Sequence, residues 1–187
     1  SQNPETNRQF PGFEVNGVHP QRKWVRDIQE YSKEWEKLRE NGFTVAHLAP
    51  SEGIFRGSGP CVLLSDKQTN QRILKNEVAQ VVAFDPVGKK SSPSIYPNSL
   101  MGVIAVIRQT FLETQYSLDR MRYEEIKPRK NPFTVHEGIH SLLRSLQPNP
   151  TLPLWMEPGS CLMIRKAIEL GQEFDLSPPV LIATGQE

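Results

Sequence analysis

The sharpest reactive spacing in the sequence is His136-Glu-Gly-Ile-His140, an H-E-x-x-H pattern. On a helix, histidines four apart lie one turn from each other on one face. Both can hold one zinc, with Glu137 as general base for a metal-bound water. A zinc there would lower the pKa of that water to about 7. A solvated helix face accounts for the same residues with less. Gly138 in the helix interior costs about 1 kcal/mol relative to alanine. Prolines flank the segment, and no third ligand follows at a diagnostic spacing, Glu157, Glu169 and Glu173 being downstream acids without a pattern. His136 and His140 are therefore the metal candidates, and Glu137 the catalytic candidate, of an alternative zinc-peptidase reading.

Other reactive types are weaker. His47 stands inside an apolar run, where a neutral core histidine with one hydrogen bond needs no function. Cys61 and Cys161 form no CxxC pair, and two buried thiols are the expectation. The run Gly53-Ile-Phe-Arg-Gly-Ser-Gly59 implies a tightly turning loop, yet it lacks GxGxxG and the Lys-Ser/Thr of a phosphate loop. No G-x-S-x-G elbow for a serine nucleophile occurs.

The elements that must position these residues follow from periodicity and punctuation. Residues 1–23, with Pro4, Pro11, Gly12, Gly17 and Pro20, read as an extended lead-in to a domain over 24–187. Val25, Ile28, Trp35 and Leu38 predict a helix from about Trp24 to Glu40, stopped at Asn41-Gly42. Phe43–Ala49 predicts a buried strand, Ser51–Pro60 a loop, Cys61–Leu64 a short strand, Asp66–Asn70 a turn and Val78–Phe84 a further strand. Gly88–Pro97 reads as loop. Leu100, Ile104, Ile107, Phe111 and Leu112 predict one face of a long helix running into the Arg120s, with Ser99 as its N-cap. A shorter helix from about Val135 to Leu146 follows. The last third then reads strand (Leu152–Met156), helix (Cys161–Phe174) and strand (Val180–Ala183). Strands alternating with helices imply parallel pairing with right-handed crossovers. A parallel strand needs cover and neighbours, and the expectation from the last one is an incomplete domain.

Composition narrows the partners. The 187 residues are 37% hydrophobic and 23% charged, with a formal net charge of +1. That balance suits a soluble domain with its own core and suggests neither nucleic acid nor an anionic membrane. Lys127, Arg129 and Lys130, interrupted by Pro128, read as a solvated loop. No run approaches the ~18 apolar residues of a membrane span, and the polar Ser-Gln-Asn-Pro-Glu-Thr-Asn start lacks signal-peptide character. Compartment and oligomeric state are not legible.

Three blocks carry a family resemblance: Asn41-Gly-Phe-Thr-Val-Ala-His-Leu-Ala-Pro-Ser-Glu-Gly-Ile-Phe-Arg-Gly-Ser-Gly59, Val78-Ala-Gln-Val-Val-Ala-Phe84, and Tyr96-Pro-Asn-Ser-Leu-Met-Gly-Val-Ile-Ala-Val-Ile-Arg-Gln-Thr-Phe111. With Leu152-Pro-Leu-Trp155 and Pro179-Val-Leu-Ile-Ala-Thr-Gly185, they resemble the amidohydrolase superfamily, in its imidazolonepropionase-like branch. The resemblance implies an α/β fold, an incomplete (β/α)8 TIM-barrel-like segment with parallel strands and covering helices. It implies a metal-dependent hydrolase acting on amide or other carbon–nitrogen bonds, or esters, with one or two divalent metals, zinc first among them, and a small-molecule substrate. The family's first strand carries a His-x-His pair, which this sequence lacks: its histidines are His19, His47, His136 and His140. The resemblance thus places the metal ligands outside this chain and predicts no metal and no substantial activity for the chain alone. It puts Glu157, after Leu154-Trp-Met, where barrel enzymes carry catalytic groups. Arg56, Tyr96 and Ser99 become substrate-binding candidates on the same face. Arg56 reads equally as a salt-bridge partner, and Tyr96–Ser99 as the shape of a helix start. A non-catalytic binding domain that kept the fold is the other alternative.

Overall fold

Short apolar runs broken by glycine and proline dictate short strands, and the chain begins with several of them. The computed structural model describes residues 15–28, 32–49, 51–66, 68–86, 96–128, 134–147, 149–183 and 185. The predicted lead-in lies mostly outside the described residues, but Val18 and Lys23 already bridge to Phe55 and Ser58. The helix expected over Trp24–Glu40 is two pieces, a 3-10 turn Trp24–Asp27 and α1, Ser32–Glu40. Ile28 between them is extended, with ψ 111°. β1 is Val45–His47, shorter and less buried than expected, with Phe43 58% exposed.

The expected glycine loop contains a strand, β2, Phe55–Ser58, and all its residues are buried. β3 is Cys61–Leu63. A helical turn α2, Thr69–Arg72, overlaps the end of the expected Asp66–Asn70 turn, and a strand β4, Ile73–Lys75, follows where the sequence suggested no element. β5 is Gln80–Ala83. The loop expected over Gly88–Pro97 lies largely outside the described residues.

The second half follows the expected order. α3 is Leu100–Ile126, α4 is Glu137–Leu143, β6 is Leu154–Glu157, α5 is Cys161–Glu173 and β7 is Val180–Leu181. Ser99 caps α3 as predicted, its side chain accepting from the Gly102 N–H at 3.2 Å. The buried face of α3 keeps Ile107 and Phe111 of the expected one, with Ile104 packed against the core, but is otherwise shifted. It comprises Val103, Val106, Ile107, Thr110, Phe111, Thr114 and Ser117, whereas Leu100 and Leu112 are exposed. The hydroxyls of Thr110, Thr114 and Ser117 donate to carbonyls one turn back, so these polar residues are buried satisfied. No described helix is long and apolar enough to cross a membrane.

The strands form two sheets. One is antiparallel, in the order β1-β3-β4; the other has the order β2-β5-β6-β7. Parallel pairing holds for β5 with β6 and β6 with β7, each pair joined through helices. It fails for β2, which runs antiparallel to β5, and for the whole smaller sheet. The two parallel connections carry helices, as the crossover between parallel strands requires. The result is a mixed α/β fold with parallel strands in one sheet. Its main core packs Phe55, Val82, Phe84, Leu154 and Met156 of that sheet against α3 and α5. Phe111 meets Phe55 and Phe174 edge-on at 5.7 and 5.2 Å, tying β2 to both helices. The thiols depart from expectation: Cys61 is half-buried and Cys161 exposed.

Candidate functional site

β5 and β6 run in parallel, so their C-terminal ends open on the same edge of the sheet, with Ala83 opposite Glu157. Each end carries an acid followed by proline: Phe84-Asp85-Pro86 and Met156-Glu157-Pro158. β2, antiparallel to β5, brings its beginning to this edge. Its register jumps between Phe55↔Val82 and Gly57↔Val81, leaving Arg56 as the extra residue of a bulge. A bulge turns a side chain away from the regular alternation. Here it sends Arg56 across β5, where the intervening residue is the small Ala83, to Glu157 on the strand beyond.

Arg56 Nη1 donates to Glu157 Oε2 at 2.6 Å, and Arg56 Nε donates to the Gly53 carbonyl at 3.1 Å. The arginine side chain is 6% exposed and the glutamate 31%, so the pair is only partly desolvated, from the glutamate side. The pair borders a cavity of about 290 Å³ whose wall includes Arg56, Asp85, Leu100, Glu157, Ser160 and Met163. Ser160 caps α5, accepting from the Met163 N–H at 3.4 Å, so the positive end of that helix dipole faces the same edge. One cation, two carboxylates and a helix N-terminus thus converge on a space suited to a small polar molecule. Such an arrangement can orient a ligand with both donor and acceptor groups, because a cation and carboxylates stand on the same wall.

Of the residues singled out by sequence, the structure brings Arg56 and Glu157 together. Tyr96 is 54% exposed and Ser99 is engaged as the cap of α3; neither lines this cavity, although Leu100 beside them does. His136 is not in the helix but is its N-cap, with extended backbone. Its Nδ1 accepts from the Gly138 N–H at 3.0 Å. The helix predicted from Val135 starts at Glu137, so His136 and His140 are not presented as two residues of one helix. The buried side of that helix, Ile139 and Leu143, packs against Leu118 and Met121 of α3. His47 stands away from the Glu157 cavity, edge-on to Trp155 at 4.6 Å. Burial holds its pKa below the ordinary histidine value, and the Gly59 backbone opposes that shift. Asp85 and Ser160 were missed by sequence reasoning. The repeated acid–proline ending of two apolar strands was the available signal for the first, and the Ser-Cys-Leu-Met helix start for the second.

A second polar cluster lies where β5 begins. Glu77 accepts from Arg144 at 2.9 Å, from Ser58 at 2.9 Å and from Lys23 at 3.5 Å. Burial pushes its carboxyl up, but the bonds from Arg144 and Ser58 and the two positive charges outweigh this. The pKa ends below the usual carboxylate value. This cluster ties three distant segments together and opens on no described cavity.

No protein-family model matches the chain, and no curated protein sequence does. Among solved structures it is similar to an amidohydrolase from Thermotoga maritima MSB8, with a TM-score of 0.72 at 18% identity. The match covers 89% of this chain and 43% of that one, so the chain spans less than half the length of its structural neighbour. At this identity the likeness is one of fold.

Proposed function

We propose that the chain forms the substrate-orienting part of an amidohydrolase-like hydrolase acting on amide or other carbon–nitrogen bonds, or esters. In this reading β5, β6 and β7 are neighbouring strands of a β/α barrel, and the edge carrying Asp85 and Glu157 is its active face. The observation that supports it is the Arg56–Glu157 pair. A bulge and a 101-residue separation in sequence bring one buried cation to one acid at the C-terminal ends of parallel strands. That edge is where α/β folds hold their ligands.

The divalent metal that such hydrolases use does not fit these residues by themselves. Among the described residues no three His, Cys, Asp or Glu side chains stand together as a ligand set. Among its described wall residues the cavity offers two carboxylates, and one of them is engaged by Arg56. In this reading the chain's own groups bind and orient: the Arg56 guanidinium and the Ser160 helix end toward a carbonyl oxygen, the carboxylates toward an N–H. Carbonyl and N–H together are the two faces of an amide.

The test is a titration of the chain with a cyclic imide such as hydantoin, followed by NMR. The reading predicts saturable shifts confined to Ala83–Asp85, Glu157–Met163 and Gly53–Arg56, weakened about tenfold in Asp85→Asn, an amount equal to one ordinary charged hydrogen bond. It also predicts no turnover of amides or esters by this chain at enzyme-like rates. Shifts elsewhere, no shifts at all, or efficient turnover would each sink it.

A further inference from the structure

A larger cavity, of about 400 Å³, lies between the Trp24–Asp27 turn, α1 and β1, with Trp24, Glu34, Trp35, Leu38 and His47 in its wall. Its size falls in the range of small-molecule sites, roughly 300–1,000 Å³. It shares no residue with the cavity at Glu157. The chain has three tryptophans: Trp24 and Trp35 line this space, and Trp155 stands one ring behind it, against His47.

Charge selects the ligand. Glu34 is the one ionised side chain among the described wall residues. Arg22 and Arg72 stand over the rings of Trp24 and Trp35, at 5.8 and 5.2 Å, but neither lines the cavity. His47 adds no positive charge at neutral pH, since burial lowers its pKa against a weaker opposing effect of the Gly59 backbone. Its Nε2 is buried close to Gly59, so the histidine contributes its ring rather than a charge to the wall. Indole faces attract both aromatic rings and cations. Among the described wall residues an anion would meet the Glu34 carboxylate and no cation, and a neutral ring would leave that carboxylate unused.

We propose that this cavity is a binding site for a small aromatic amine, with its ring against the indoles and its ammonium group on Glu34. The site stands independently of the hydrolase reading, because none of its residues belongs to the Glu157 edge.

Tryptophan fluorescence of the whole chain, titrated with phenethylamine, 2-phenylethanol and phenylacetate, tests it. These probes share a ring and differ in charge. Phenethylamine is expected to give a saturable change and to bind about tenfold more tightly than the alcohol, with the acid weakest. Glu34→Gln, at an exposed position, should bring the amine to the level of the alcohol. Ala49→Phe, which fills the cavity while keeping Glu34, should abolish the response with the circular dichroism unchanged. No saturable response, equal affinity for amine and acid, or full amine affinity in Glu34→Gln would overturn the proposal.

Discussion

Arg56 is held by two neighbours, and the value of each follows from what its removal leaves behind. Replacing Glu157 by glutamine strands a guanidinium that is 6% exposed, and an uncompensated buried charge is far more costly than a missing pair. Because Glu157 itself is partly solvated, a loss of about 2 kcal/mol is expected, below the range for fully buried pairs. Arg56→Met, which removes the charge and keeps the volume, should cost less than Glu157→Gln; urea unfolding of both variants checks the order. His136 belongs to this scale as well. Its Nδ1 is occupied with the Gly138 N–H, so His136→Ala should weaken α4 by somewhat under about 1 kcal/mol, as a modest cap does. Zinc loading should leave no tightly held zinc in either protein. One zinc per chain, lost in the variant, would instead favour the peptidase reading of His136, Glu137 and His140.

At the scale of elements, α3 shows what periodicity reads and what it misses. Its length and its Ser99 cap were legible, because both are local: a side-chain oxygen three residues ahead of an N–H, then an uninterrupted helical pattern. Its buried face was read in part: Ile107 and Phe111 are buried as expected and Leu100 and Leu112 are not, while Thr110, Thr114 and Ser117 look solvent-facing until their bonds to carbonyls one turn back are seen. Ile107→Ala should therefore destabilise by about 2–4 kcal/mol, and Leu112→Ala, at a 52% exposed position, by no more than about 0.5 kcal/mol. Thermal or urea melts of the pair check that Ile107 belongs to the buried face and that Leu112, expected there as well, does not. The glycine-rich run is the converse case. Its glycines suggested a loop, but they serve a strand under close backbone approach: a side chain at Gly59 would collide with the Leu48 carbonyl, and one at Gly57 with that of Arg22. Gly57 also has φ +88°. Density of glycine signals crowding, and crowding occurs in sheets as well as in turns.

For the molecule as a whole, the Glu77 cluster is the joint that pH can loosen. It links the lead-in through Lys23, β2 through Ser58 and the end of α4 through Arg144. The carboxyl's folded pKa is lowered from 4.5; burial acts against this, and the bonds from Arg144 and Ser58 prevail. A depressed carboxylate contributes stability above its unfolded pKa and loses it as pH falls through the folded value. The urea midpoint should then fall from about pH 4.5 downward, and Glu77→Gln should be less stable at pH 7 with a flatter decline over that window. An equal slope in both proteins would show that the cluster does not govern acid unfolding. The opposite edge of the sheet holds the Arg56–Glu157 pair, so the proposed function would put ligand chemistry at the far ends of the strands from this joint.

The sequence alone determined the order and approximate positions of the helices and strands of the second half, because capping, helical spacing and proline punctuation act over a few residues. It also marked Arg56 and Glu157 as residues of interest, and the α/β character of the chain. Only the tertiary structure decided that they meet, that β2 is a strand with Arg56 in its bulge, and that β1, β3 and β4 form a separate antiparallel sheet. Strands of two to four residues carry too few side chains to announce their direction or partners. Those are set by pairing between residues far apart in sequence, where the energy of a contact depends on the whole arrangement that brings its two halves together.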